Sequence, residues 1–302
     1  MNSSGSLISI RLSVDYPGKP GVLRHVALEM ERGEILGLVG ESGSGKSTLA
    51  LATLRLLQLR GGRACGQIMF SGRDLMRLTE REMQRVRGRE ISLVLQSPTS
   101  SLNPVLRIGT QLSEAWTTHA SHSRNHCQAA TREVMESVDL PADEAFLRRY
   151  PSQISVGQAQ RVLICMAILH RPSVLIADEP TSALDMVTQS EILRLFARLN
   201  RELNMAILYI SHDLLSVASL CHRVAILREG EILECGKTEQ IFRSPGHAYT
   251  RRLIESLPHN SFLTVRDPVE EAQACIDFSA IPKVIASSSG LAANEGLPSR
   301  TM

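Results

Sequence analysis

The run from Gly40 to Thr48, GESGSGKST, carries residue types that together bind a phosphate chain. It fits the pattern G-x-x-x-x-G-K-[ST], with Gly40, Gly45, Lys46 and Ser47 in the fixed places. Glycines let the backbone curl so that its N–H groups face a phosphate, while the lysine adds a positive charge and the hydroxyl can bind Mg²⁺. An apolar run of strand length precedes this loop and an Ala- and Leu-rich run follows it. The pattern therefore predicts a phosphate loop, with a chance match in a glycine-rich turn as the alternative.

Polar side chains follow several short apolar runs that have the length of buried strands. Adjacent carboxylates at the end of such a strand are costly to place unless a metal ion or a reacting water uses them. An isolated histidine is more often a helix cap or a core residue, but a strand-end position favours contact with a ligand. These strand-end residues are Gln96, the pair Asp178 and Glu179, and His212.

Helical spacing over residues 107–149 predicts a small all-helical insertion. The run ISVGQ at 154–158 then opens an apolar helix that extends to about His170, and the N-terminus of this helix is a second potential anion site. Near the start of the chain, Tyr16 lies in a turn signal, VDYPG, that follows a strand predicted over residues 7–14. It is either an aromatic platform for an adenine ring or a residue of the core or the sheet edge.

Composition indicates a globular chain with no general affinity for nucleic acid. Of 302 residues, 43% are hydrophobic and 21% are charged, the net charge is +2, and 4% are aromatic, so basic surface and stacking platforms are scarce. No apolar run approaches the roughly eighteen residues of a membrane span, and the first residues lack the apolar core of a signal peptide. We therefore expect a cytosolic protein. Its six cysteines show no C-x-x-C spacing and are expected to be free thiols.

The order of these motifs resembles the nucleotide-binding subunit of ATP-binding cassette (ABC) transporters over residues 7–258. The elements that carry the resemblance are the phosphate loop, Gln96, ISVGQ, VLIADE, SALD and His212. The segments QSPTSSLNP, YPSQIS and SPGHAYTRRLIESLP resemble the branch that serves dipeptide, oligopeptide and nickel importers. The resemblance implies an α/β P-loop NTPase cassette with a mainly parallel sheet core, an antiparallel β-subdomain and an α-helical subdomain at about 97–165. The cassette would span 1–258, and 259–302 would be a flexible tail.

The resemblance also implies a role for each candidate residue, with ATP and Mg²⁺ as cofactors. Tyr16 would stack on adenine. Glu179 would be the general base for the attacking water, and His212 would contact the γ-phosphate. Mg²⁺ would be held by Ser47, Gln96 and, through water, Asp178. The phosphates would be wrapped by Gly40, Glu41, Ser42, Gly43, Ser44, Gly45, Lys46, Ser47 and Thr48.

A partner cassette would complete the site, because members of this family pair head to tail. The signature run of one cassette, here Ile154, Ser155, Gly157 and Gln158, closes over ATP bound to the other, and Asp185 would lie at the seam. The implied assembly contains a second ABC ATPase subunit, identical or homologous, and two membrane permeases. It works with an extracytoplasmic solute-binding protein and involves no nucleic acid. Its ATPases would lie on the cytoplasmic face of the inner membrane as peripheral subunits.

The chain departs from the family at the signature, where Val156 replaces the first glycine of L-S-G-G-Q. A β-branched side chain there predicts a moderate defect in the contact with the partner's ATP, unless position 156 is already helical. Beyond Pro258, where members of this branch often carry several cysteines, this chain has only Cys275. Two alternatives stay open, a non-transport cassette ATPase that assists a metabolic complex and a cassette that hardly hydrolyses ATP beside an active partner. The transported solute cannot be predicted from these residues.

Overall fold

The protein is described here from a computed structural model that covers residues 5–120 and 124–257. The described strands are β1 (Ser6–Tyr16), β2 (Lys19–Glu31), β3 (Ile35–Val39), β4 (Arg63–Phe70), β5 (Arg73–Asp74), β6 (Ile91–Val94), β7 (Val174–Asp178), β8 (Ala206–Ser211), β9 (Arg223–Arg228) and β10 (Glu231–Lys237). The described helices are α1 (Lys46–Thr53), α2 (Glu80–Val86), α3 (Pro98–Ser101), α4 (Ile108–Thr117), α5 (Arg124–Ser137), α6 (Glu144–Leu147), α7 (Val156–Ile168), α8 (Met186–Leu203), α9 (Leu214–Leu220), α10 (Thr238–Arg243) and α11 (Ala248–Glu255).

The larger sheet has the strand order β10-β9-β3-β8-β7-β6. Neighbouring strands from β9 to β6 run parallel, and β10 is added antiparallel at one edge. Every residue of β3, β7 and β8 is buried, which explains why these strands are continuous apolar runs without alternation. Since the carboxyl ends of parallel strands lie along one edge of a sheet, the polar residues that follow them are brought to the same side of the molecule.

The smaller sheet is antiparallel, with the order β2-β1-β4-β5. It packs over α1, so that Ile10 of β1, Leu49 of α1 and Leu208 of β8 belong to one apolar cluster. This arrangement places the hairpin of β1 and β2 beside the start of α1. The mainly parallel core and the antiparallel β-subdomain predicted from the sequence are both confirmed.

Helices α3 to α7 connect β6 to β7. A second apolar cluster joins Leu112 of α4, Met135 of α5 and Ile164 of α7. The predicted α-helical part of the fold is therefore present, and the fold class is confirmed. The predicted limits of this subdomain, 97–165, and of the cassette, 1–258, stay predictions.

Two smaller expectations can also be compared with the structure. Cys165 and Cys221 are free thiols, as expected, and both are buried, which raises the pKa of each. None of the helices in the described part of the chain is long and apolar enough to cross a membrane. The predicted tail at 259–302 and Cys275 lie outside the described residues.

Candidate nucleotide site

The phosphate loop connects the carboxyl end of β3 to α1, whose first residue is Lys46. The Lys46 side chain is buried, and its Nζ donates to the carbonyl oxygens of Gly40 and Glu41 at 2.8 and 3.0 Å. Burial lowers the pKa of Lys46, and the nearby carboxylates of Glu179 and Asp178 oppose this shift. The ammonium group of Lys46 is therefore buried against the backbone of the phosphate loop.

Close packing around the loop explains its glycines. A Cβ on Gly40 would lie 2.1 Å from the carbonyl oxygen of Leu227, at the end of β9. Gly45 has a φ of +111°, and a Cβ there would lie 2.5 Å from a methyl group of Leu23 in β2. Because glycine lacks a Cβ, the loop can pack tightly between β9 and the β1–β2 hairpin at these two positions. Its backbone is also fixed from outside, because the Gly230 N–H donates to the Ser44 carbonyl at 3.1 Å.

Asp178, the last residue of β7, is 7% exposed, and its Oδ1 has no hydrogen-bond partner among the described residues. Burial raises the pKa of this carboxyl, while the hydroxyl of Ser47 and the charge of Lys46 act in the opposite direction. A buried carboxylate oxygen without a donor is a poor structural element and a good ligand for a hard cation. The Oγ of Ser44 is likewise buried without a partner in the part of the chain that the structure covers.

These donors fit a magnesium ion that also contacts phosphate. Among the described residues, no group of three or more His, Cys, Asp or Glu side chains could hold a metal ion by itself. A single carboxylate with a hydroxyl nearby is instead the donor set of a Mg²⁺ site that takes its other ligands from phosphate and water. The predicted set of Ser47, Asp178 and Gln96 agrees with this chemistry and stays a prediction.

Glu179 follows Asp178 directly, and its carboxylate contacts side chains from the ends of two neighbouring strands. Gln96, beyond β6, donates its Nε2 to Glu179 Oε2 at 2.8 Å, and His212, beyond β8, places its Nδ1 3.3 Å from Glu179 Oε1. The Glu179 backbone has a φ of +47°, an unfavourable value for a residue with a Cβ, and its N–H donates to the Ile210 carbonyl at 2.9 Å. The structure thus brings together three residues that the sequence placed at three separate strand ends.

Gln96 contacts Glu179 in this structure, whereas the family resemblance implies that it binds the metal. Gln96 uses its Nε2 for the hydrogen bond to Glu179, so the Oε1 of Gln96 takes no part in that bond. The same side chain can therefore orient the carboxylate and offer an oxygen to Mg²⁺. Both roles depend on the loop that starts at the end of β6.

Tyr16 lies at the end of β1, where it is partly buried. A Cβ on Gly62 would be 2.8 Å from Cε1 of the Tyr16 ring, so the ring rests on the backbone of Gly62. The hairpin that carries Tyr16 contacts the phosphate loop through Leu23 and Gly45. This location is compatible with a platform for adenine, and that role stays a prediction.

The signature run forms the start of α7. Ser155 is its N-cap, with reciprocal hydrogen bonds of 3.1 Å to Gln158: Ser155 Oγ accepts from the Gln158 N–H, and Gln158 Oε1 accepts from the Ser155 N–H. Val156 is the first helical residue and is 41% exposed. Valine adopts helical backbone angles without strain, so Val156 does not distort the backbone of the signature run. Any defect in the contact with a partner's ATP would have to come from its side chain.

One connection in the site was not anticipated from the sequence. The hydroxyl of Tyr249 in α11 donates to the carboxylate of Glu41 in the phosphate loop, at 3.0 Å. From the sequence, the segment SPGHAYT, which contains Tyr249, indicates only a resemblance to one branch of the family. A separation of 208 residues leaves no local pattern from which this contact could be predicted.

Comparisons with known proteins identify the family of the chain. Residues 23–182, more than half of the chain, match the family model described as ABC transporter, so the chain belongs to the ABC transporter family. The predicted family is confirmed, and membership of this family agrees with the predicted enzyme class, an ABC-type ATPase.

Two curated relatives illustrate the similarity. The chain is 42% identical over 260 residues to the glutathione import ATP-binding protein GsiA of Salmonella typhimurium, covering 84% of this chain and 42% of that protein. It is 42% identical over 246 residues to the protein of the same name from Shigella dysenteriae, covering 80% and 40%. The chain thus spans about two fifths of the length of these relatives.

Solved structures give the same fold. The structure of cbiO1 from Clostridium perfringens, part of the ABC transporter complex cbiONQ, has a TM-score of 0.70 at 23% identity and covers 86% of this chain and 98% of its own. A dimeric ATP-binding cassette in a post-hydrolysis state with ADP and Pi has a TM-score of 0.66 at 26% identity, covering 76% and 98%. The fold of the chain is that of an ATP-binding cassette.

Proposed function

We propose that this chain binds and hydrolyses ATP and thereby drives an ABC importer from the cytoplasmic face of the membrane. Its partners would be a second cassette, two permeases and, through them, an extracytoplasmic solute-binding protein. The observation that carries this proposal is the carboxylate of Glu179, held by Gln96 and His212 at the same sheet edge as the buried Lys46. Enzymes catalyse phosphoryl transfer mainly by positioning the reacting groups and neutralising the developing charge, and these residues can do both.

The residues around the loop have separable tasks. Lys46 exchanges its contacts with the carbonyl groups of Gly40 and Glu41 for the β- and γ-phosphates, since its ammonium already lies within the loop. The loop N–H groups and the N-terminus of α1 bind the remaining phosphate oxygens. Ser47, Gln96 and Asp178 would hold Mg²⁺, which supplies charge neutralisation to the phosphate chain when it is bound. Tyr16 would stack on the adenine ring.

Glu179 would take a proton from the water that attacks the γ-phosphorus. The bond from the water oxygen to phosphorus forms as the bond from phosphorus to the bridging oxygen breaks, so that ADP leaves with the electron pair of that bond. The hydrogen bond from Gln96 Nε2 orients the carboxylate, and His212, whose side chain is 62% exposed, would contact the γ-phosphate. A base held by two neighbours loses little freedom when the water binds.

The transported solute we propose is a small peptide. The support is the 42% identity to proteins named for glutathione import, because glutathione is itself a tripeptide. The branch motifs also occur in nickel importers, so nickel is the competing solute. Purification of the membrane complex with its bound solute separates the two, because mass spectrometry would detect a peptide and elemental analysis would detect nickel.

The test of the ATPase proposal uses two variants of the full chain. Lys46→Ala should abolish measurable binding of Mg-ATP, because the phosphates lose the buried cation. Glu179→Gln should still bind Mg-ATP but stop turnover in the assembled transporter, since an amide cannot accept the proton. Binding is measured with a fluorescent ATP analogue, and turnover by phosphate release. Normal turnover of Glu179→Gln would move the base elsewhere, with His212 as the first candidate, and normal binding by Lys46→Ala would refute the site.

A further inference from the structure

Helix α11, the last helix of the described residues, contacts the phosphate loop through Tyr249. Tyr249 is 4% exposed, and its hydroxyl donates to Glu41 Oε1 at 3.0 Å. Glu41 is the second residue of the loop, and its carbonyl oxygen is one of the two acceptors of Lys46 Nζ. The side chain of Glu41 thus receives the tyrosine while its backbone receives the lysine that binds phosphate.

The aromatic ring of Tyr249 also contacts the larger sheet, through Arg228 of β9. The guanidinium carbon of Arg228, at the end of β9, lies 4.4 Å from the ring centroid, within the range of a cation–π contact. Leu227, the preceding residue, is the one whose carbonyl oxygen excludes a Cβ on Gly40. Consecutive residues of β9 therefore contact the loop directly and support the tyrosine that contacts it.

The N-terminus of α11 is itself attached to β10. Glu234 Oε1 accepts from the Gly246 N–H at 2.7 Å, and its Oε2 accepts from the His247 N–H at 3.1 Å. His247 caps the helix, because its Nδ1 accepts from the Tyr249 N–H at 3.1 Å. Hydrogen bonds from backbone N–H groups to a carboxylate are strong, so the position of Tyr249 is fixed relative to the sheet.

We propose that Tyr249 is a positioning residue for the phosphate loop, which it holds in its ATP-binding shape through the hydrogen bond to Glu41. The segment SPGHAYT would then contribute to the affinity for Mg-ATP as well as to packing. The physical reason is preorganisation, since a loop already fixed before ATP arrives loses less freedom on binding. This inference rests on the proposed function, because it assumes that the loop binds ATP.

The variant Tyr249→Phe tests the proposal by removing the hydroxyl while keeping the ring beneath Arg228. We expect the Kd of the full chain for Mg-ATP to rise about fivefold, a typical loss for a hydrogen bond to a charged group that acts indirectly. In the assembled transporter, KM should rise by a similar factor while kcat changes less than twofold. The matched control is Tyr209→Phe, which removes a buried hydroxyl bonded to Ser216. It should lower the melting temperature and leave the Kd unchanged.

A double-mutant cycle with Glu41→Ala separates positioning from general destabilisation. Because Tyr249 acts through Glu41, adding Tyr249→Phe to Glu41→Ala should weaken binding no further. An unchanged Kd for Tyr249→Phe, or an equal loss in both backgrounds, would overturn the inference. If Tyr249→Phe is too unstable to assay, Glu41→Ala alone decides, since Glu41 is exposed and an unchanged Kd there has the same meaning. Failure of the proposed function looks different, because the wild type and Lys46→Ala would then bind Mg-ATP equally.

Discussion

Lys46 and Asp178, which we propose to bind phosphate and metal, are both buried, and burial disfavours the charged form of each. The pKa of Lys46 is lowered and the pKa of Asp178 is raised, in both residues chiefly by burial. Their mutual attraction recovers part of this cost, but Asp178 Oδ1 still has no hydrogen-bond donor among the described residues. Without ligand, the site therefore stores unfavourable free energy that bound Mg²⁺ and phosphate can release.

Asp178→Asn should accordingly stabilise the protein while damaging its function. Near neutral pH and without nucleotide, we expect the free energy of unfolding to rise by about 1 kcal/mol, since a buried charge is removed. The raised folded-state pKa means that the wild-type penalty is absent below the ordinary carboxyl pKa of about 4 and grows as the pH rises toward the raised value. The stability that Asp178→Asn gains over the wild type should therefore be small at about pH 4, increase as the pH rises, and become constant above the raised pKa of Asp178.

Thermal melting over a pH series, with and without Mg-ATP, measures both effects. Mg-ATP should raise the melting temperature of the wild type more than that of Asp178→Asn, because the variant lacks the carboxylate that we propose to bind Mg²⁺. Equal melting temperatures for the two proteins without nucleotide at pH 8 would refute the burial argument. A gain that is largest at low pH would have the wrong sign for a raised pKa.

Two helix N-termini meet at the surface where the partner cassette is proposed to bind. A Cβ on Gly157 in α7 would lie 2.7 Å from the Cγ2 methyl of Thr188 in α8. The hydroxyl of the same threonine donates to Asp185, the N-cap of α8, at 2.7 Å. The glycine of the signature run is therefore required by packing within this chain, in addition to any role toward the partner's ATP.

Gly157→Ala should lower the free energy of unfolding by about 1–2 kcal/mol, because the new methyl group overlaps Thr188 and the two helices must separate. The matched rescue is Gly157→Ala with Thr188→Ser, which deletes the threonine methyl and keeps the hydroxyl on Asp185. Melting of the full chain measures the loss, and ATPase of the assembled transporter shows whether the displaced Asp185 also matters. If the serine restores neither stability nor rate, the contact between the two helices is not the cause.

The order of elements could be predicted from the sequence because each strand of the core is an apolar run with a polar end, as Asp178 and His212 show. That these polar residues lie close together could also be predicted, because the carboxyl ends of parallel strands lie along one edge of the sheet. Contacts that join distant segments could not be predicted in the same way. Tyr249 is 208 residues from Glu41, and nothing in the pattern around either residue indicates the other. Likewise, Gly157 matches a family motif, but only the packed helices show that Thr188 excludes a larger side chain.

At the scale of the proposed assembly, Val156 lies in the signature run that would complete the ATP site of the partner cassette. Its backbone is helical, so what distinguishes it from glycine is a pair of exposed methyl groups beside the N–H groups of the first turn. If those N–H groups approach the partner's γ-phosphate, the methyl groups hold the two cassettes slightly apart. We therefore predict that Val156→Ala raises the ATPase rate of the assembled transporter several-fold.

The comparison of alanine with glycine at position 156 tests this account further. Val156→Gly should also raise the rate, but less than alanine does, because glycine in a helix costs about 1 kcal/mol relative to alanine and loosens the first turn of α7. Val105→Ala is the matched control, since Val105 is 75% exposed and lies outside the signature helix; its rate should equal that of the wild type. Turnover of all variants is measured in the reconstituted complex at saturating ATP. A rate that is unchanged or lower in both Val156 variants would show that valine fits the partner's surface, and that closure over ATP does not require a bare helix N-terminus on this chain.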